Sequence, residues 1–255
     1  MIHHIKKTVK KFLKKCYYSF LPRRAKVFLF SHIHSQQIYA HLNNLKKLGY
    51  NPATIIDVGA YEGEWTYYTS QVFNQSAFLM IEPQQNKETV LKAVAAKNKK
   101  IRYAMALAGK ENNVEHVFYE METGSSIYAE QTDVQRVVKK YKMQTLDEIV
   151  AKYDVKGEYF LKLDVQGAEL DVLAGAEKIL QHTDFILLEA SLLNYNANAP
   201  LFAEIIEYLD KKDFVLFDIC DQRRMAGNTL FQVDLIFTRR NSAIRKSVNF
   251  HTQGL

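Results

Sequence analysis

The chain has 255 residues, enough for one full α/β core and too few for two such domains plus a tail. Its 47% hydrophobic and 24% charged content excludes disorder over the bulk of the chain, and two cysteines, Cys16 and Cys220, are too few for a disulfide framework or a zinc cluster and suit a reducing cytoplasm. The net charge of +6 is unevenly spread, since no carboxylate precedes Asp57, so residues 1–50 are a purely basic arm and the body is mildly acidic.

In the arm, Ile2, Ile5, Val9, Phe12, Leu13, Cys16 and Phe20 recur every three or four positions, with Lys6, Lys7, Lys10, Lys11, Lys14 and Lys15 on the other side. The pattern predicts a basic amphipathic helix. Its lysines interrupt every apolar run, so it is not read as a secretory signal, and no run is long enough to span a bilayer. Three roles fit it: a helix on an anionic membrane surface, a nucleic-acid-binding arm, or a helix packed on its own domain or on a twin subunit. Pro22 stops it, and a second helix is expected over about Ala25 to Leu48, ending at Gly49. His32 and His34 are two apart on that helix, so their side chains diverge and are not read as metal ligands.

The stretch Thr54 to Trp65, TIIDVGAYEGEW, predicts a buried parallel strand, a turn bracketed by Gly59 and Gly63, and a helix start. The first amides of a helix lack partners within it and attract an anionic group. The spacing is G-x-x-x-G rather than the G-x-G-x-x-G of a dinucleotide site, and Glu62 and Glu64 would repel a pyrophosphate while favouring a cation. S-adenosylmethionine fits, with a carboxylate for the amides, an ammonium and a sulfonium for the acids, and a ribose diol for an acid further on. A Rossmann-like turn holding another ligand stays open here.

A helix is expected over Thr66 to Phe73 and a second strand over Ala77 to Ile81, ending in Glu82-Pro83. An acid at that place can accept hydrogen bonds from a ribose diol. Gln84 to Lys97 reads as a helix and Ile101 to Leu107 as a third strand. Val114 to Tyr119 and Val134 to Met143 then alternate like exposed strands, which predicts an inserted hairpin or flap over the carboxyl edge of the sheet. Thr145 is a fair N-cap for a short helix, with Glu148 three residues on.

Tyr159 to Ala176, YFLKLDVQGAELDVLAGA, repeats the strand-turn-helix layout, with a strand ending at Asp164 and a helix turning Leu170, Leu173 and Ala174 inward. Glu169 and Asp171 in its first turn complement the helix dipole. In a doubly wound sheet the first and fourth strands lie side by side where the winding reverses, so Asp57 and Asp164 would flank one crevice. Phe185 to Leu188 is read as a strand ending in Glu189, Pro200 to Leu209 as a helix, and Phe214 to Ile219 with Leu230 to Thr238 as an antiparallel pair.

In order and spacing, IIDVGAYEGEWT, Glu82-Pro83, MQTLDEI, LKLDVQGAELDVLAGA and LLEAS resemble the FkbM family of S-adenosylmethionine-dependent methyltransferases, over roughly Leu42 to Arg239. The resemblance implies the class I methyltransferase (Rossmann-like) fold, a doubly wound and mostly parallel sheet with its last strand antiparallel. It divides the chain into a basic helical extension (1–50), a methyltransferase domain (51–240, with an insertion at about 110–143) and a basic tail (241–255). Residue by residue, Asp57 and Gly59-Ala60-Tyr61 match the methionine-binding turn, Glu82 the ribose acid, Ala106 and Leu107 the loop near adenine, and Asp164 the acid after the fourth strand. Many members carry glutamate where this chain has Gln166, and asparagine where it has Tyr61.

The function expected is O-methylation of a hydroxyl on a sugar, glycan intermediate or other small molecule. An in-line attack on a sulfonium methyl needs an aligned oxygen and an acceptor for its proton. Asp164 is the first choice for that group and Glu189 the second. A divalent cation shared by the two is an open variant, and no metal site is predicted. The loop Asp164-Val-Gln-Gly lacks the Asn/Asp-Pro-Pro-aromatic pattern of nucleic-acid amino-methylating enzymes, and no cysteine lies near it. An RNA methyltransferase using the basic arm and a non-catalytic cofactor-binding scaffold at a membrane are the alternatives. The expected location is cytoplasmic, with peripheral attachment to the inner membrane face and homo-oligomerisation left open.

Overall fold

Thr54–Val58 forms β1 with all five side chains buried, as expected of a strand covered on both faces. A computed structural model of the protein describes residues 37–131, 135–194, 196–225 and 227–248. The predicted amphipathic helix, the histidine pairs before residue 37, Cys16 and the end of the basic tail lie outside the described residues.

With β1, the strands β2 (Ala77–Glu82), β3 (Ile101–Met105), β7 (Tyr159–Leu163), β8 (Thr183–Ser191), β9 (Phe214–Arg224) and β10 (Leu230–Arg239) make a seven-stranded sheet. Its order is β3-β2-β1-β7-β8-β10-β9, and β10 runs antiparallel to both of its neighbours. This is the mixed α/β, doubly wound arrangement of class I methyltransferases, with the winding reversing between β1 and β7. Three further strands, β4 (Leu107–Gly109), β5 (Glu115–Glu120) and β6 (Val137–Thr145), form a small separate sheet in the order β4-β6-β5. The antiparallel β5/β6 pair is the predicted flap.

Alternate residues of each central strand enter opposite cores. Ile56, Val58, Leu161 and Leu163 pack under helices α4 (Leu146–Ala151), α5 (Glu169–Ala174), α6 (Glu177–Gln181) and α7 (Phe202–Lys211). Ile55, Phe78, Met80 and Phe160 pack against the other side. There the cover is a helix through residues 37–47 (α1) with α2 (Glu64–Val72) and α3 (Glu88–Ala96). Leu42 and Leu45 of α1 are fully buried, and Gly49 at φ 93 ends that segment. Among the described residues no helix is long and apolar enough to cross a membrane.

Two expectations change in detail. The single strand expected over Ile101 to Leu107 breaks at Ala106, whose amide turns to the Glu82 carbonyl at 3.1 Å, so that β3 stays with β2 and β4 joins the flap sheet. In α5, Val172 and Leu173 are buried and Ala174 is exposed. The helix stops after six residues because Gly175 passes against β4: a Cβ on Gly175 would lie 2.0 Å from the Gly109 carbonyl oxygen. Asp147, from α4, then accepts the amides of Lys178 and Ile179 at 2.9 Å and caps α6.

That close approach makes Gly175→Ala an overpacking change, expected to cost about 1–3 kcal/mol and to lower the melting temperature by roughly 3–10 °C. A thermal melt followed by circular dichroism checks it, and an unchanged transition would contradict the contact.

Candidate functional site

The carboxyl ends of β1, β2 and β7 open into a cavity of about 220 Å³. Gly59, at φ 77, lets the chain leave β1 beside β7: a Cβ there would stand 2.0 Å from the Asp164 carbonyl oxygen. The amides of Gly59 and Ala60 donate to the Ile81 carbonyl at 2.9 and 3.1 Å, Gly63 donates to Ala60 at 2.7 Å, and Tyr61 donates to Glu82 Oε2 at 2.8 Å. The expected anion cradle therefore falls to the amides of Glu62, Glu64 and Trp65 at the start of α2, for which no partner lies among the described residues.

Glu82, only 3% exposed, closes β2 and accepts amides with both oxygens, from Tyr61 and from Gln84 at 3.0 Å. Burial pushes its carboxyl up, and the two amides pull against that. Beyond it, Ala106, Leu107, Phe118 and Ile127 make an apolar shelf. The flap reaches the cavity with Glu122, Thr123 and Ser125. Lys87 latches it, with Nζ 3.0 Å from Glu62, 3.1 Å from Glu122 and 3.9 Å from the centre of the Tyr61 ring, while the Tyr61 hydroxyl donates to Glu122.

Under the turn lies a lysine, part of the LKLDV stretch, for which the sequence alone predicts no role. Lys162, the next-to-last residue of β7 with its side chain 8% exposed, has Nζ 2.9 Å from Asp57 Oδ1 and 3.6 Å from Asp164 Oδ2, and it donates to the Gly59 carbonyl at 3.2 Å. Burial alone would lower its pKa, but the two carboxylates hold it above the ordinary lysine range. The usable signal in the sequence was a lone cation inside the apolar run YFLKL, because a buried charge needs a partner. Asp57, completely buried, spends its other oxygen on the Thr66 hydroxyl at 2.7 Å and lies beneath the cavity rather than on its wall.

Asp164 faces the cavity, its side chain 41% accessible though deep below the protein surface. Burial works to raise its carboxyl, yet Lys162, Arg223 and the Gln166 amide together hold it below the usual carboxylate range. Glu189 is off the cavity wall, with its side chain 6% exposed. Its oxygens meet Arg223 at 2.6 Å, Gln232 at 2.7 Å and Gln166 at 3.3 Å. Burial pushes its carboxyl up against the pull of Arg223. The space between Asp164 and Glu189 that a shared cation would need holds the Gln166 carboxamide. His41, the arm histidine within the described residues, pairs with Asp218 at 2.6 Å. Glu169, read as a dipole partner, instead staples the loop: its Oε1 accepts the Val165 and Gly167 amides at 3.2 and 3.3 Å, and burial pushes its carboxyl up to about 7.

The cavity wall thus brings together Gly59, Ala60, Tyr61, Glu82, Ala106, Leu107 and Asp164, and leaves Asp57 and Glu189 behind it. Five carboxylates and one lysine line it. An apolar shelf, a buried acid with lone pairs to spare, free helix amides and a negative wall suit a compact cation that carries a flat base, a diol and a carboxylate. S-adenosylmethionine has that make-up.

A family model described as the methyltransferase FkbM domain matches residues 57–216. A comparison with curated proteins returned no match. Among solved structures, similar chains include magnesium protoporphyrin IX methyltransferase from Synechocystis with bound S-adenosylmethionine, at 10% identity and TM-score 0.46 over 81% of this chain and 79% of that one. The 1,6-didemethyltoxoflavin-N1-methyltransferase of Burkholderia thailandensis is similar at 12% identity and TM-score 0.46, over 93% and 89% of the two chains. An RNA methyltransferase, so described provisionally, from Pyrococcus horikoshii follows at 11% identity and TM-score 0.44, over 79% and 81%.

Because Lys162 neutralises two carboxylates, Lys162→Met should cost about 3–5 kcal/mol at neutral pH. In the native protein the pair's contribution is present below the unfolded lysine pKa of about 10.4 and is lost as pH rises through the higher folded value. On the acid side, the depressed Asp164 contributes above its unfolded value of about 3.9, and that contribution fades as pH falls through the folded one. The gap between variant and native should therefore be widest near neutrality and should narrow in acid. Denaturant unfolding at several pH values measures it, and a constant or absent gap would contradict the ion pair.

Proposed function

The chain belongs to the FkbM methyltransferase family, and from that premise we propose that this S-adenosylmethionine-dependent methyltransferase acts on a hydroxyl group of a sugar, a glycan intermediate or another small molecule. One observation carries this reading: an accessible carboxylate, Asp164, stands on the cavity wall and is kept ionised by its neighbours. Bound in the cavity, S-adenosylmethionine supplies a methyl group already activated on a sulfonium.

The chain's own residues then have three tasks. Glu82 would hold the ribose diol, the amides at the start of α2 the amino-acid carboxylate, and the Ala106–Leu107 shelf with Phe118 the base. Asp164 accepts a hydrogen bond from the acceptor hydroxyl, which orients the oxygen, and takes the proton as the oxygen loses it. A carboxylate held below its usual pKa is a weak base, so orientation is its larger contribution. The flap, tied down through Glu122, keeps water out.

The acidic wall speaks against a polyanionic acceptor, since Glu62, Glu64 and Glu122 would repel a phosphate backbone. That weakens the RNA reading despite the basic arm. The amphipathic pattern of residues 2–20 supports a place on an anionic membrane surface, where the acceptor would be lipid-linked.

Three measurements test the reading. Glu82→Ala should weaken S-adenosylmethionine binding by about 10- to 100-fold, the value of roughly 1.5–3 kcal/mol in charge-assisted hydrogen bonds, with Glu82→Gln in between. Calorimetry showing native affinity in both variants would remove Glu82 from the site. Methyl label offered with neutral glycans and with RNA should go to the glycans, and label found in RNA alone would overturn the proposal. Flotation with anionic liposomes should be lost on deleting residues 1–20, and equal flotation would retire the membrane role.

A further inference from the structure

Gln166 sits where the loop after β7 is most constrained. It adopts φ 52 and is followed by Gly167 at φ 99, and a non-glycine residue in that left-handed region costs roughly 1–2 kcal/mol. Three separate segments hold it there. Its carbonyl accepts the Ser126 hydroxyl at 2.8 Å from the flap side and the Asn196 amide at 2.6 Å from the loop after β8. Glu169 holds the amides on either side. The result is one carboxamide aimed between two acids: Nε2 is 2.9 Å from Asp164 Oδ1 and 3.3 Å from Glu189 Oε1.

We infer that Gln166 is a positioning residue, whose amide hydrogens separate the Asp164 and Glu189 carboxylates and turn Asp164 toward the cavity. This rests on the role given to Asp164 above.

Charged groups face the pair from every packed element. Lys162 of β7 and Asp57 of β1 lie on the Asp164 side, Arg223 of β9 and Asp234 of β10 on the Glu189 side, and Glu169 of α5 below the loop. Acids outnumber bases in this group, and burial pushes the Glu189 carboxyl up to about 8, so an uncharged donor between the two keeps Asp164 ionised beside a Glu189 that holds its proton. An acid there would make three carboxyls within hydrogen-bond reach, and such a set retains a proton at neutral pH.

The test reads protons rather than methyl transfer. Binding of S-adenosylmethionine is titrated calorimetrically at about pH 6.5 in buffers of different ionisation heat, which counts protons exchanged on binding. The native protein supplies the reference count, because Glu169 and Glu189, pushed up to about 7 and about 8, also exchange protons there. Gln166→Glu should release up to about one proton more than the native protein as the cationic ligand arrives, and the excess should be distinctly smaller with S-adenosylhomocysteine, whose sulfur is uncharged. Gln166→Met, which removes the donors without adding a charge, should release an intermediate amount, and it serves if the glutamate variant does not fold. Both variants should bind S-adenosylmethionine within about threefold of the native protein, a shift under roughly 0.7 kcal/mol.

Native proton counts in both variants would reduce Gln166 to a space-filler and overturn the inference. Loss of binding in well-folded variants would also overturn it, by making Gln166 a cofactor ligand instead. No methyl acceptor enters the experiment, so the choice of acceptor stands or falls separately. A native protein that ignored S-adenosylmethionine would show that failure before any variant was compared.

Discussion

Lys162 places a positive charge inside a sheet that is otherwise apolar at that depth, and the neighbouring strands are arranged to tolerate it. Asp57 lies directly across from it in the β1–β7 register, completely buried and tied to Thr66 of α2, while Asp164 stands two residues further on, just past the end of β7. A buried ion pair of this kind adds little net stability over apolar packing, but it is costly to break, so it fixes geometry more than it strengthens the fold. Here it fixes the two strands whose ends define the site, the first turns of α2 through Thr66, and the Gly59 carbonyl that starts the turn. The crevice at the reversal of winding thus has a rigid floor.

On that floor the charges are sorted. Three of the five carboxylates that meet the cavity are held in place: Glu82 by the two amides its side chain accepts, Asp164 by the backbone amide it donates to Val58 at 3.0 Å, and Glu122 by the side-chain latch to Lys87 and Tyr61. Glu189, whose carboxyl burial pushes up, is turned away and meets Arg223 at 2.6 Å. Arg223 arrives because β9 runs to Arg224, through irregular pairing with β10 near Asp234. A negative wall with fixed dipoles attracts a small cation and needs little rearrangement to receive it.

Much of this was legible in the residues alone, for identifiable reasons. TIIDV and YFLKL are short runs covered on both faces, and such strands announce themselves by continuous apolar character whatever their partners. Thr145 shows itself as a cap because its hydroxyl accepts the Glu148 amide locally, within one turn. Boundaries set by distant contacts were not legible: the break at Ala106 depends on Glu82, the end of α5 on Gly109, and the length of β9 on the pairing of β10. The same limit applies to the site. Glu82 and Asp164 could be placed because each closes a strand at a predictable edge. The consumption of the Gly59, Ala60 and Tyr61 amides by β2, the withdrawal of Glu189 and the role of Lys162 are all cross-strand facts, and a linear reading has no term for them.

The position of β10 has a consequence for how the chain is made. It is the last strand among the described residues, yet it lies between β8 and β9, so this rim is completed by a hairpin and not by one strand after another. While the chain emerges from the ribosome, Phe185 to Ser191 presents an open row of backbone donors and acceptors, and β9 has nothing to pair with. Because β9 and β10 are consecutive, antiparallel and joined at the turn where Met225 donates to Thr229 at 2.8 Å, they can pair first and then dock together on β8 through β10. Until they do, the nascent protein carries a sticky flank to which another chain, or a chaperone, has access.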